Sequence, residues 1–175
     1  LVKTIISLDR IAISIINPNS YTATTAYVSG FQIAGRKKGA VYPLGGTITE
    51  EVIRTRSSLH LQPKDEKEIE EWSARVPTLL PTFAAGIRST ILVPLIAKDE
   101  IIGVLNIQTT RTNAYADQDV KLAGNIASQI AGAVANAQLF AERQRADEAL
   151  IKEKEFTEIA LDSQQDTFFI FDPVP

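Results

Sequence analysis

Residues 89–109 read STILVPLIAKDEIIGVLNIQT, and this stretch decides the fold. Two arms rich in apolar and β-branched residues, Ser89–Ile96 and Ile101–Thr109, flank the polar Lys98-Asp99-Glu100. Apolar runs of this length are typical of buried strands, and a short polar turn between two of them is typical of a hairpin. The stretch therefore predicts two neighbouring antiparallel strands in the core sheet.

A second pair of strands is predicted near the start of the chain. Arg10–Ile16 is rich in isoleucine, and the turn cluster Asn17–Ser20 separates it from the β-branched and aromatic Tyr21–Val28. Shorter extended segments are predicted at Ala40–Leu44 and Ser58–Leu61.

Two short helices are predicted between the strand pairs. Thr47 followed by Glu50 has the spacing of a capping box, so a helix is expected over Glu50–Thr55. Asp65–Arg75 is acidic at its start and basic at its end, which complements a helix dipole. Val76–Gly86 carries two prolines and has no clean period, so we interpret it as an unusually apolar loop.

A long helix is predicted from Asp117, because apolar residues recur at steps of three or four from Leu122 to Phe140. The preceding Ala116 lacks the hydroxyl of a usual cap, and the acidic first turn partly compensates. Beyond a polar run a second apolar stripe follows, which a domain of this size cannot cover. We therefore predict a homodimer contact through this C-terminal helix, with a frayed or folded-back helix as the alternative. The residues expected in the contact are Leu150, Phe156 and Ile159.

Composition excludes several classes of function. The 175 residues carry 18 Lys and Arg against 21 Asp and Glu, a net charge of −3, so no basic field attracts nucleic acid. Cysteine is absent, which excludes disulfides, thiolate metal sites and cysteine nucleophiles. No apolar stretch approaches the ~20 residues that span a membrane. We expect a cytoplasmic fragment of a longer protein, since the chain opens with Leu1 and has no Met; that longer protein could itself be membrane-associated.

Several short sequence motifs, taken in order, resemble those of the GAF domain family. They are RSTILVPL at Arg88–Leu95, EIIGVLNI at Glu100–Ile107, and YADQDVKLAGNIASQ at Tyr115–Gln129. The resemblance spans residues 1–150 and implies an α+β fold. That fold is a five- or six-stranded antiparallel sheet with helices packed against it and a long C-terminal exit helix. The resemblance also implies a sensory or regulatory role. An enzyme is disfavoured because the sequence shows no nucleophile–base set, metal cluster or Walker-type Gly-Lys loop.

The end of the chain resembles the entry of a PAS domain, over Lys154–Pro173 (KEFTEIALDSQQDTFFIFDP). We therefore predict a GAF-like domain over residues 1–140, a helical linker over 141–160 and the beginning of an incomplete PAS-like domain over 161–175. The two resemblances together imply a bacterial multi-domain signal-transduction protein, such as a two-component sensor histidine kinase or a cyclase. Downstream PAS and effector domains would lie in the same chain.

The resemblance implies a pocket for a small-molecule effector beneath the variable middle of the domain. Apolar lining with a few polar groups is what such a site needs, so we predict that Trp72, Leu80, Phe83 and Arg88 bound it. Two alternatives stay open. The apolar side chains could fill the pocket as core, and Arg88 could form a surface ion pair instead of binding an anionic effector.

Residue types argue against the cofactors of several GAF subfamilies. Bilin-binding members attach their chromophore through a Cys, and the free methionine sulfoxide reductases need reactive cysteines, so neither chemistry is expected here. His60 is the only histidine, so heme ligation is not expected and a tetrahedral zinc site lacks ligands. We predict no cofactor, no metal and no enzymatic activity in this chain.

Three hypotheses of function follow. The preferred one is a regulatory domain that senses an unidentified effector and relays its state through the C-terminal helix. A purely structural dimerisation module with a self-filled pocket is the second. A cyclic-nucleotide-binding domain is the third, and it is disfavoured because Thr109-Thr110 stands where such members carry Asn-Lys.

Overall fold

The computed structural model describes residues 6–165. Its centre is a six-stranded sheet in the order β3-β2-β1-β6-β5-β4, in which every neighbouring pair is antiparallel. This confirms the α+β fold that the resemblance implied. The strands are β1 (Arg10–Asn17), β2 (Thr22–Gly30), β3 (Val41–Pro43), β4 (Leu59–Leu61), β5 (Ser89–Ala97) and β6 (Glu100–Thr109).

The predicted hairpin is confirmed by the register of β5 and β6. Their pairing runs from Ser89 opposite Thr109 to Ala97 opposite Glu100, which leaves a two-residue turn. Lys98 and Asp99 in that turn have φ values of 49° and 64°. Two left-handed residues are the geometry of a type I′ turn, whose twist matches that of the strands it joins. On its other side β6 pairs with β1, so the two predicted strand pairs form one sheet.

The two faces of the sheet are covered by different helices. One face packs against the start of α4 (Asp117–Gln165) through small alanine side chains, which let the helix approach closely. The other face packs against α1 (Ile48–Thr55), where Val52 contacts Leu92 and Val104. The buried cluster on the α4 side includes Ile91, Val93, Leu95, Leu105, Ile107, Ala123, Ala127 and Ala131.

Side-chain caps fix the starts of the helices. The Glu50 N–H donates to Thr47 Oγ1 at 3.1 Å, and Glu50 Oε2 accepts from the Gly46 N–H at 2.8 Å, so the predicted capping interaction is present. Asp65 caps α2 (Glu66–Arg75) in the same way. At α4 no side chain takes the place of the missing hydroxyl within the described residues, and the Asp119 N–H donates to the Ala116 carbonyl oxygen. The Asp119 carboxylate accepts from the Ala116 N–H at 2.8 Å, which is the other half of a capping box.

The interpretation of Val76–Gly86 as a loop is wrong. The segment forms a 3₁₀ turn (Pro77–Leu79) followed by α3 (Leu80–Ala84). Each proline lies in a first turn, where its missing N–H would have no helical partner anyway. The prolines that suggested a loop therefore start two short helices.

The helix α4 confirms the predicted long C-terminal helix. The chain divides into two compact units, one ending at Ala133 and the other beginning at Val134. Residues 166–175, which form most of the predicted beginning of a PAS-like domain, lie outside the described residues. Among the helices of residues 6–165, none is both long and apolar enough to cross a membrane.

Candidate functional site

A cavity of about 60 Å³ lies on the face of the sheet that packs against α1. The sheet forms its floor, and its walls come from the β2–β3 connection, the start of α1 and the segment Pro77–Ala84. Its polar lining consists of Arg10, Ser14, Thr25, Arg36, Tyr42, Thr47, Thr49, Thr78, Thr82, Thr90, Asn106 and Gln108. Its apolar lining consists of Ala12, Ile33, Ile48, Leu61, Leu79 and Leu92.

Strand periodicity and register bring the polar floor together. Side chains on a strand alternate between faces, so Arg10, Ala12 and Ser14 of β1 share the cavity face, and all three are buried. The β1–β6 register places Gln108 opposite Arg10 and Asn106 opposite Ala12. Residues almost a hundred positions apart in sequence therefore meet on one polar surface inside the core.

Arg10 is the buried cation of this surface, with 3% of its area exposed. Its Nη1 donates to Gln108 Oε1 at 2.7 Å, and its Nη2 donates to the Arg36 carbonyl oxygen at 3.0 Å. Both acceptors are neutral, and in the described part of the chain no acceptor is bonded to its Nε–H. Burial and the nearby Arg36 guanidinium lower the pKa of Arg10 below its usual value.

A second cation lies at the wall of the cavity. The Arg36 guanidinium stacks on the Tyr42 ring, 3.9 Å from its centroid. The Tyr42 hydroxyl donates to Ser14 Oγ at 2.9 Å, which ties this wall to the floor. The connection that carries Arg36 is anchored to β2 through two backbone hydrogen bonds of Thr25, to Ala40 and Gly39.

The four residues predicted to bound a pocket lie beside this cavity and do not line it. Phe83 is buried, and Trp72 packs half-buried in the same cluster. Leu80 is 54% exposed, since the helical turn that points Leu79 into the cavity points its neighbour outwards. Arg88 donates to the Phe83 and Ile87 carbonyl oxygens and lies 3.5 Å from Glu66. The cavity wall is formed instead by Thr78, Leu79 and Thr82.

The sequence analysis missed the polar floor. A signal was present in the sequence. Arg10 and Ser14 lie an even number of positions apart in a strand rich in isoleucine, and Asn106 and Gln108 do so in another strand. Polar residues two positions apart in an apolar strand mark a polar face. Which two faces meet depends on the pairing of distant strands, and that information is not local.

The sequence analysis considered His60 for heme or metal ligation and Thr109-Thr110 for cyclic-nucleotide binding. His60 is exposed on β4, and no group of three metal-ligating side chains occurs within residues 6–165. Thr109 and Thr110 bind Asp9: its Oδ2 accepts from both hydroxyls and from the Thr110 N–H at 2.7–2.9 Å. The position where an Asn-Lys pair would stand is thus a structural anchor for the start of β1.

The predicted dimer residues are exposed on α4. The exposed fraction is 52% for Leu150, 74% for Phe156 and 70% for Ile159. At 3.6 residues per turn, Phe156 and Ile159 share one side of the helix, whereas Leu150 lies about 120° around it from Phe156. The exposed apolar surface is therefore broader than a single stripe.

The family model whose description is GAF domain matches residues 4–135. The formate hydrogenlyase transcriptional activator FhlA of Escherichia coli (strain K12) is 27% identical over 108 residues. That match covers 62% of this chain and 15% of the activator, so the chain corresponds to a small part of its relative.

Solved structures share the fold. The GAF domain of a two-component sensor histidine kinase from Bacillus halodurans has a TM-score of 0.60 at 15% identity, covering 78% of this chain and 87% of that one. The type II free methionine-R-sulfoxide reductase from Thermoplasma acidophilum has a TM-score of 0.57 at 17% identity, covering 74% and 80%. At these identities the likeness establishes the architecture alone.

Proposed function

Because the chain belongs to the GAF domain family of sensory and regulatory modules, we propose that it senses a small molecule bound in the cavity on the α1 side of the sheet. The observation that carries this proposal is the polar floor. Burying polar groups inside a core costs free energy unless each is hydrogen-bonded, and burying a charge costs more. A buried cation whose protein partners are all neutral is what a site that completes itself with a ligand would contain.

The size of the cavity supports a small effector. Sites for drug-sized ligands measure ≈ 300–1,000 Å³, and this cavity measures about 60 Å³. A cyclic nucleotide would need the floor and walls to separate, and Thr109 and Thr110 are already bonded to Asp9. A purely structural module is the second candidate, favoured by the same small volume.

We propose that binding here is regulatory and not catalytic. The reductase from Thermoplasma acidophilum shares the architecture. Such reductases need reactive cysteines, and this sequence contains no cysteine. The polar lining offers no nucleophile paired with a general base: its ionisable groups are two arginines and a tyrosine.

The signal would leave through α4, in a larger cytoplasmic signalling protein. We propose that Phe156 and Ile159, with Leu150 at the edge, pack against a second copy of the chain, because they are large, apolar and exposed. Two-fold pairing buries equivalent surfaces on both copies. In this proposal residues 1–140 sense, residues 141–160 link, and residues 161–175 begin a PAS-like domain that leads to an effector.

A cavity-filling variant tests whether the site binds ligands. Ala12 is 2% exposed and lies on the cavity floor, so Ala12→Leu places three extra carbons in the cavity. A library of small metabolites is screened for compounds that raise the melting temperature of the 175-residue chain. We expect at least one compound to stabilise the wild type and the control Ala74→Leu, on an exposed helix position, but not Ala12→Leu. Stabilisation of all three proteins alike, or of none, would favour the structural module.

A further inference from the structure

The charge balance of the cavity lining is one-sided. Two guanidinium groups, those of Arg10 and Arg36, line it, and none of its lining residues is an Asp or Glu. The ion pairs found within residues 6–165 leave both arginines out. A buried charge is normally paired with an opposite charge, so the positive charge on this face lacks its counterpart.

The guanidinium of Arg10 is held in a fixed position. Gln108 and the Arg36 carbonyl oxygen use one N–H from each terminal nitrogen, which leaves three of the five guanidinium N–H groups without a protein acceptor in the described chain. Gln108 is itself oriented by Thr90, whose hydroxyl oxygen lies 3.5 Å from its side-chain nitrogen. A rigid donor group loses little conformational entropy when it binds a ligand.

We infer that the cavity binds a small oxyanion, a carboxylate or a phosphate-like group, with Arg10 as its principal partner and Arg36 as the second. This inference rests on the proposed ligand-sensing function and specifies its chemistry. Guanidinium groups form charge-assisted hydrogen bonds with the oxygens of such anions. The lowered pKa of Arg10 agrees with it, because an anion bound at the cavity would offset the cost of burying the positive charge and the repulsion from Arg36.

Size narrows the range of anions. The cavity of about 60 Å³ is far smaller than the ≈ 300–1,000 Å³ of sites for drug-sized ligands, so it suits an anion of only a few non-hydrogen atoms. Acetate and inorganic phosphate are anions of that size. Hydroxyl groups of Ser14 and Thr25 lie at the same cavity and can donate to further anion oxygens.

Calorimetric titration of the 175-residue chain tests the inference, with acetate, phosphate and the neutral acetamide as probes at constant ionic strength. We expect acetate or phosphate to bind at least tenfold more tightly than acetamide. Arg10→Gln and, separately, Arg36→Gln should each weaken anion binding at least tenfold. Arg143→Gln removes one positive charge from an exposed position on α4 and should change the affinity less than twofold.

Each outcome decides the matter. Binding of acetate but not phosphate, or the reverse, identifies the anion geometry and supports the inference. Equal binding of acetamide, binding insensitive to Arg36→Gln, or no binding of either anion overturns it. If Arg10→Gln does not fold, the comparison of acetate with acetamide and the Arg36→Gln variant still decide. A neutral compound that binds the wild type but not Ala12→Leu would overturn the anion inference and leave the proposed function standing.

Discussion

Gly103 lies inside the apolar strand β6, where the neighbouring strands leave no room for a side chain. It pairs with Ile15 of β1 on one side and with Leu95 of β5 on the other. A Cβ added there would lie 2.4 Å from the Ser14 carbonyl oxygen. The close packing of the three central strands therefore needs a residue without a side chain.

We predict that Gly103→Ala lowers the free energy of unfolding by about 1–3 kcal/mol, the usual cost of overpacking. Gly132 is the control, because it lies exposed on α4 and a Cβ added there would meet open space. Gly132→Ala should raise stability by up to about 1 kcal/mol through helix propensity. Urea unfolding measures both, and equal effects of the two substitutions would contradict this account of the sheet.

Asp9 gives the structure a pH-dependent contribution to stability. Hydrogen bonds from the Thr110 N–H and from the Thr109 and Thr110 hydroxyls lower the pKa of its carboxyl group. A carboxyl group with a lowered pKa stabilises the fold at pH values above its unfolded pKa of ≈ 3.9. That contribution is lost as the pH falls through the lower pKa of the folded state.

The variant Asp9→Asn keeps an oxygen acceptor and removes the titration. We expect a lower melting temperature than wild type at pH 7 and a difference that shrinks as the pH falls below about 4. Melting curves between pH 2.5 and pH 7 measure it. A constant difference across that range would show that the charge of Asp9 contributes nothing.

At the scale of elements, local sequence patterns were enough to predict most of the strands and helices. The arms of the β5–β6 hairpin and the cap of α1 at Thr47 were predictable, because neighbouring residues determine them. Val76–Gly86 was misinterpreted because a proline breaks a helix in its interior yet favours its first turn. The cavity floor could not be predicted, since Arg10 meets Gln108 only through the pairing of β1 with β6.

The exposed apolar side chains in the C-terminal part of α4 predict that the chain forms a dimer. Large apolar side chains gain about 1.5–3 kcal/mol each when fully buried, and Phe156 and Ile159 lie on one side of the helix. We expect the chain to sediment as a dimer and the double variant Phe156→Glu with Ile159→Glu to sediment as a monomer. Leu150→Glu should weaken the dimer less, because it lies about 120° from Phe156.

The control for this experiment is Lys67→Glu. Lys67 is exposed on α2, outside the C-terminal part of α4 that carries Leu150, Phe156 and Ile159. It makes the same change of charge away from the proposed contact, so the dimer should persist. A wild-type chain that is monomeric at high micromolar concentration would contradict the dimer proposal and leave the ligand site unaffected.

At the scale of the whole molecule, the two faces of the sheet have different proposed roles, helix packing on one and ligand binding on the other. One face packs closely against the alanines of α4, the element proposed to carry the signal. The other holds a polar cavity beneath α1. Leu92 of β5 faces the cavity while its neighbours Ile91 and Val93 face α4. The strands β5 and β6 thus contribute alternate side chains to the cavity and to the packing against the start of α4.

A crystal structure of the 175-residue chain grown with acetate or phosphate tests the central claim most directly. The account predicts density for one anion in the cavity, with an oxygen within hydrogen-bond distance of the Arg10 guanidinium. The same crystals of Ala12→Leu should lack that density while the fold is unchanged. Side chains closing over the cavity in the wild type, or ordered water alone against Arg10 at saturating anion, would contradict the claim that this face is a binding site for a small anion.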